Sequence, residues 1–139
     1  MDLDTALAYA RATPQSVLTT LRTNGLPQLS NVLHTVDANG TIRISTTAGR
    51  AKYANLCRRP WAAVKVDGED FWSYAVLEGS VELSDVAAEP HDNAVDELVE
   101  IYRSLSGEHR DWDEYRRTMV ADRRVVVRVV PDRAYGLGR

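Results

Sequence analysis

Five side chains suited to holding an anion crowd one stretch of this 139-residue chain. In "ISTTAGRAKYANLCRRP", Ile44 to Pro60, the hydroxyls of Ser45, Thr46 and Thr47 can donate hydrogen bonds, and Arg50 and Lys52 carry full positive charge. The β-branched, hydroxyl-rich run reads as a strand ending at Thr47. Gly49 permits a tight backbone, and Arg50 to Arg59 read as a helix stopped by Pro60. The first N–H groups of such a helix have no intrahelical acceptor and carry the positive end of its dipole, so they add to the cations. The chemistry implied is the cradling of a phosphate. Thr-rich strand ends before a basic helix also occur for structural reasons alone, so the stretch needs partners elsewhere to be a site.

Two further segments offer them. "FWSYAVLEG" reads as a strand, with Trp72, Tyr74 and Val76 on one face and Phe71, Ser73 and Ala75 on the other. Trp and Tyr combine an apolar body with a hydrogen-bonding tip, which suits core packing, a subunit interface or the plane of a heteroaromatic ligand. In "PQLSNVLHTV", Gln28, Ser30, Val32 and His34 share one face and Leu29, Asn31 and Leu33 the other. Amides there could read ring carbonyls and N–H groups, although polar residues begin many strands.

The usual protein-based catalytic sets are missing. His34, His91 and His109 lie far apart, and none has a ligand partner at metal-binding spacing, so no metal is expected. There is no G-x-S-x-G elbow, P-loop or G-x-G-x-x-G. Asp111/Asp113 and Glu69/Asp70 read as caps or solvated loops, and no catalytic side chain is nominated. If the chain is an enzyme, a bound cofactor does the chemistry and the protein positions it.

Composition sets the frame. A net charge of −3 argues against a nucleic-acid partner, which would need a basic surface surplus, so any anion must meet a local cluster. The 44% hydrophobic content is enough for the core of a single domain over residues 1–139. Apolar runs fall short of the roughly 20 residues that cross a bilayer. The opening "MDLDTALAYA" has acids where a secretion signal has bases, so a cytoplasmic protein with no membrane partner is expected. The lone Cys57 cannot form an internal disulfide and is expected as a small buried thiol.

Positioning elements follow from periodicity. Leu3, Ala6, Leu7 and Ala10 predict a helix over 3–12 capped by Asp2 or Asp4 and ended by Pro14. "SVLTTLR" and "PQLSNVLHTV" form a hairpin about Asn24-Gly25, and "DANG" turns into "TIRIST". "WAAVKVD", "FWSYAVLEG" and "SVELSD" continue an antiparallel meander. "HDNAVDELVEIYRSL" puts Val95, Leu98, Val99, Tyr102 and Leu105 on one helix face, and "DWDEYRRTMVAD" begins with a capping box from Asp111 and Glu114. "RRVVVRVVP" returns to the sheet, while residues 84–92 and the tail after Pro131 read as loops. The fold class is mainly β with α, a small barrel or strongly curled sheet of six or seven mostly antiparallel strands with short peripheral helices. Its less clearly alternating strands predict a sheet face covered by a second copy.

Taken in order, "GLPQLSNV", "STTAGRAKYANLCRRPWAAV", "DFWSYAVLEGSVEL", "GEHRDWDEYRRTMV" and "AYGLG" resemble the pyridoxamine 5′-phosphate oxidase-like split-barrel superfamily. More narrowly they resemble its actinobacterial branch of F420-dependent oxidoreductases, over about Pro14 to Gly138. The resemblance implies a split β-barrel homodimer with a cofactor, F420 or alternatively FMN, at the subunit interface. It places Ser45, Thr46, Thr47, Arg50, Ala51, Lys52 and Asn55 at the cofactor, the phosphate grip falling to the hydroxyls, Arg50 and Lys52. Gln28, Ser30 and Asn31 match the stretch near the ring. Trp72 and Tyr74 match an aromatic pair from the partner subunit, and Tyr135 and Gly136 lie on the substrate side. The implied reaction passes a hydride from reduced F420 to a small conjugated acceptor. The ending "RAYGLGR" lacks the Trp-Arg pattern of true pyridoxamine-phosphate oxidases, which argues against vitamin B6 oxidation.

Overall fold

Alternation of buried and exposed side chains along nearly every strand builds a sheet with an inside and an outside. In the computed structural model, which describes residues 1–138, the strands are β1 (Gln15–Leu21), β2 (Pro27–Leu33), β3 (Thr35–Val36), β4 (Ile42–Thr47), β5 (Trp61–Asp67), β6 (Tyr74–Leu83) and β7 (Arg124–Leu137). They form one seven-stranded sheet in the order β2-β1-β5-β6-β7-β4-β3, every pair antiparallel. The sheet curls into a half-barrel, so the predicted split-barrel architecture is present. The helices are α1 (Leu3–Ala12), α2 (Ala51–Arg58), α3 (Asn93–Ser106) and α4 (Trp112–Ala121).

Inside the curl, Leu18, Ile42, Ile44, Val64, Val66, Leu77, Val127 and Val129 are fully buried, with Leu56 of α2 and Ala6 and Ala10 of α1 packed against them. Burial of each larger side chain stabilises by roughly 1.5–3 kcal/mol, which is the main force curling the sheet. A smaller core forms on the outer side of β7. There Val126 meets Val95, Leu98, Val99 and Ile101 of α3 and Met119 of α4. The rest of the outer face is uncovered: Leu29 and Leu33 on β2 are 61% and 53% exposed. Tyr135 and Leu137 on β7 are exposed as well.

Several sequence expectations change. Asp2 caps α1, accepting from Thr5 N at 2.8 Å, but Asp111 and Glu114 make only half of a capping box. Asp111 Oδ1 accepts from Glu114 N, while Asp111 N donates to His109 Nδ1. "FWSYAVLEG" and "SVELSD" are one strand, not two, because Gly79 carries the chain through a bulge beside Pro131 of β7 instead of turning it. Phe71 and Trp72 precede that strand, in a loop fixed by Asp70 Oδ1, which accepts from Trp72 N at 2.8 Å and Ser73 N at 2.9 Å. Beyond Pro131 the chain is strand, not loop, and Tyr135 and Gly136 pair with Val76 and Ala75. Cys57 is exposed, not buried, because α2 lays Leu56 against the core and turns the next position outward.

Candidate functional site

β2 and β4 stand far apart in the strand order yet face each other across the open seam of the curl. Between them lies a groove of about 530 Å³ lined by Ser30 to Leu33, Ser45 to Thr47, Arg50, Lys52, Arg124 and, from α3, Ile101 and Leu105. It brings together seven of the predicted cofactor residues: Ser30, Asn31, Ser45, Thr46, Thr47, Arg50 and Lys52.

Strand geometry sorts the hydroxyls. Ser45 and Thr47 lie on the outer face of β4, half-buried, whereas Thr46 shares the inner face with Ile42 and Ile44 and is buried. Ser45 and Thr47 therefore present the more accessible hydroxyls, while Thr46 meets the groove from its buried side. Thr47 sits directly opposite Arg124 across the β4–β7 ladder, so alternation puts Arg124 on the same outer face. Its Nη1 donates to Ser45 Oγ at 3.4 Å, and its Nε is buried without a partner. Arg124 was not among the residues singled out from the sequence. Its basic pair with Arg123 begins the most β-branched run of the chain, but only the register of β7 on β4 brings it to the site.

The head of α2 supplies the other charges. Arg50 is the N-cap residue, no side chain caps the helix, and its first turn holds no acid. Side-chain capping normally satisfies one of the orphan N–H groups, and a cation at this end opposes the helix dipole. Burial holds the Lys52 ammonium below its ordinary pKa, and the Arg50 and Arg124 charges push it in the same direction. None of these cations takes part in an ion pair among the described residues.

The remaining candidates lie outside the groove. Asn55 is buried at 6% exposure, donating from Nδ2 to Thr20 Oγ1 at 3.1 Å and to Gln28 Oε1 at 2.7 Å, so it serves Gln28 instead of a ligand directly. Ala51 is exposed on the first turn of α2. Trp72 is 60% exposed and stacks edge-on with Phe71 at 4.7 Å, while Tyr74 is half-buried on β6; neither lines the groove of its own chain. Leaving the strand also removes Trp72 from the alternation that placed it on one face with Tyr74.

Comparison with known proteins supplies context. Residues 3–138 match the family model described as pyridoxamine 5′-phosphate oxidase. A conserved hypothetical protein of Mycobacterium tuberculosis superposes with a TM-score of 0.73 at 21% identity, covering 98% of this chain and 84% of that one. A structure described as an F420 reductase gives 0.67 at 22% identity, covering 90% of this chain and 92% of its own. A pyridoxamine 5′-phosphate oxidase-related, FMN-binding protein of Nostoc punctiforme gives 0.65 at 16% identity, covering 95% and 79%. At these identities the structural likeness shows the fold.

Proposed function

The chain belongs to the pyridoxamine 5′-phosphate oxidase family, and from that premise we propose that it is an F420-dependent reductase, acting as a homodimer with the groove at the subunit interface. One observation carries the reading. Arg50, Lys52 and Arg124 converge on an uncapped helix start with no carboxylate among them, in a chain whose net charge is −3. Like charges so close destabilise one another unless an anion neutralises them.

The residues fit a phosphate. The buried, unpartnered Nε of Arg124 is a donor that lacks an acceptor, and the Ser45 and Thr47 hydroxyls stand beside it. With Arg50 and Lys52 they would grip the phosphate, while Val32, Leu33, Ile101 and Leu105 give apolar walls for the rings. F420, when bound, supplies a hydride to an unsaturated or conjugated organic acceptor. The chain's own part is to anchor the phosphate, hold the ring plane against the β2 wall and keep water from the acceptor side. No side chain is assigned as an acid or base. Trp72 and Tyr74 would reach the partner's groove, and the uncovered outer face bearing Leu29, Leu33, Tyr135 and Leu137 supports the paired arrangement.

An FMN-dependent oxidase is the second reading. It is favoured by the same cation cluster, since FMN also carries a phosphate, and by the likeness to an FMN-binding protein. Fluorescence titration separates the two. We expect tighter binding of F420 than of FMN; stoichiometric FMN retained through gel filtration would reverse the order. F420 binding without reduction of any quinone, enone or tetrapyrrole would instead mark a non-catalytic carrier.

A further inference from the structure

Behind the cation cluster, a chain of hydrogen bonds runs from α2 to β2 with a fixed direction. Arg58 Nη2 donates to Asn55 Oδ1 at 3.0 Å and to Leu21 O, also at 3.0 Å. A guanidinium can only donate, so the Asn55 atom facing it must be the carbonyl oxygen. The Asn55 NH2 therefore points the other way, to Thr20 Oγ1 and Gln28 Oε1. An NH2 can only donate too, so the Gln28 atom it meets must be Oε1. Gln28 is left with its Nε2 hydrogens directed away from this chain of bonds, with no partner among the described residues. Gln28 does not itself line the groove, but it stands two residues before Ser30 on the same inner face of β2, and Ser30 and Val32 do line it.

We propose that Arg58 and Asn55 are positioning residues that lock the Gln28 side chain with its NH2 away from the relay, making the stretch of β2 beside the groove specific for a ligand atom that accepts a hydrogen bond. This rests on the reading of the groove as a flavin or deazaflavin site. On that reading the atom recognised is a ring carbonyl oxygen. Without the relay the Gln28 amide could turn over at little cost and present either polarity. Held by the relay, it rejects a donor at that position, because turning would face Nε2 against the Asn55 NH2 and leave two donors in contact.

Asn55→Asp tests this with almost no change of shape. It keeps an acceptor for Arg58 but offers Gln28 only carboxylate oxygens, so Gln28 must turn over and present Oε1 outward. In the free protein, side-chain amide NMR should show a solvent-exchanging Gln28 NH2 in the wild type and a downfield-shifted, protected one in Asn55→Asp. With FMN and with F420 as probes, Asn55→Asp should bind roughly 10- to 100-fold more weakly and shift the absorption band of the bound ring. Arg58→Met, outside the groove lining and one step behind Asn55 in the relay, should lose less and broaden the Gln28 signals. An unchanged Gln28 signal in Asn55→Asp would overturn the relay. Unchanged affinity and spectrum would overturn its role in recognition. A wild type that binds neither cofactor yet shows the amide reversal would remove the functional reading while supporting the relay.

Discussion

Lys52 is the residue on which the anion reading is easiest to test. Removing one charge-assisted phosphate contact with Lys52→Ala should weaken cofactor binding by about 1.5–3 kcal/mol, read by titration; unchanged affinity would place the anion elsewhere. Arg124→Met should cost about as much, because it removes both the buried, unpartnered Nε and the Nη1 that donates to Ser45. The depressed Lys52 pKa gives a pH signature. An anion binds the protonated amine, so affinity should hold at neutral pH and fall as pH rises through the lowered pKa, earlier than for an ordinary lysine. In Lys52→Met that limb should vanish. Arg50 and Lys52 were legible because their chemistry and spacing lie within one short segment. Arg124 was not, since its partner Thr47 lies across a ladder whose register no local pattern reveals. Asn55 was legible as part of a motif but not in its role, which depends on Arg58 and Gln28 reaching it from either side.

At the scale of elements, the continuity of β6 hangs on a single glycine. A Cβ on Gly79 would lie 1.9 Å from Val130 O, a backbone atom that cannot step aside. Gly79→Ala should therefore destabilise the fold by more than about 3 kcal/mol in urea unfolding, by forcing β6 from β7. The sequence read "EGS" as a break because glycine interrupts a strand pattern in turns and bulges alike. Tertiary pairing with β7 decided between them. The helices were far more legible, since a period of 3.6 and a cap are local signals, and α3 buries the predicted Val95, Leu98 and Val99.

His34 ties α1 to the start of the sheet. It is 1% exposed, its Nε2 donates to Ala10 O at 2.8 Å, and its Nδ1 lies 2.8 Å from Ser16 Oγ. Burial lowers its pKa below 6.5, outweighing the Ala10 hydrogen bond, so the fold holds it neutral. The unfolded chain then binds the extra proton. This contribution is complete above the unfolded pKa and is lost as pH falls from there through the lowered folded value. Urea midpoints should drop as pH falls below about 6.5 in the wild type. The His34 share of that slope should disappear in His34→Asn, and an identical slope in both would show that the ring is not the group titrating.

For the whole molecule, the expected homodimer is tested on the bare outer face. Leu29→Lys with Leu137→Lys, both outside the groove lining, should shift light-scattering mass to that of a single chain and weaken cofactor binding, since Trp72 and Tyr74 are assigned to the partner's groove. A native-sized dimer with both changes would move the interface elsewhere. Antiparallel order was readable from turns and alternation, but the strand count agrees only because "PQLSNVLHTV" divides at His34 into β2 and β3 while two other predicted strands merge into β6. The order β2-β1-β5-β6-β7-β4-β3 was not readable, because it is set by which apolar faces close over the same core. That order has a mechanical consequence. The lips of the seam belong to strands at nearly opposite ends of the sheet, joined directly only by the short passage through His34 and β3. The molecule is an open cuff, and a small molecule gripping both lips acts as its clasp. Occupancy should slow hydrogen exchange most along β2 and β4, the two lips that line the groove, and least along β5 and β6 at the cuff's back.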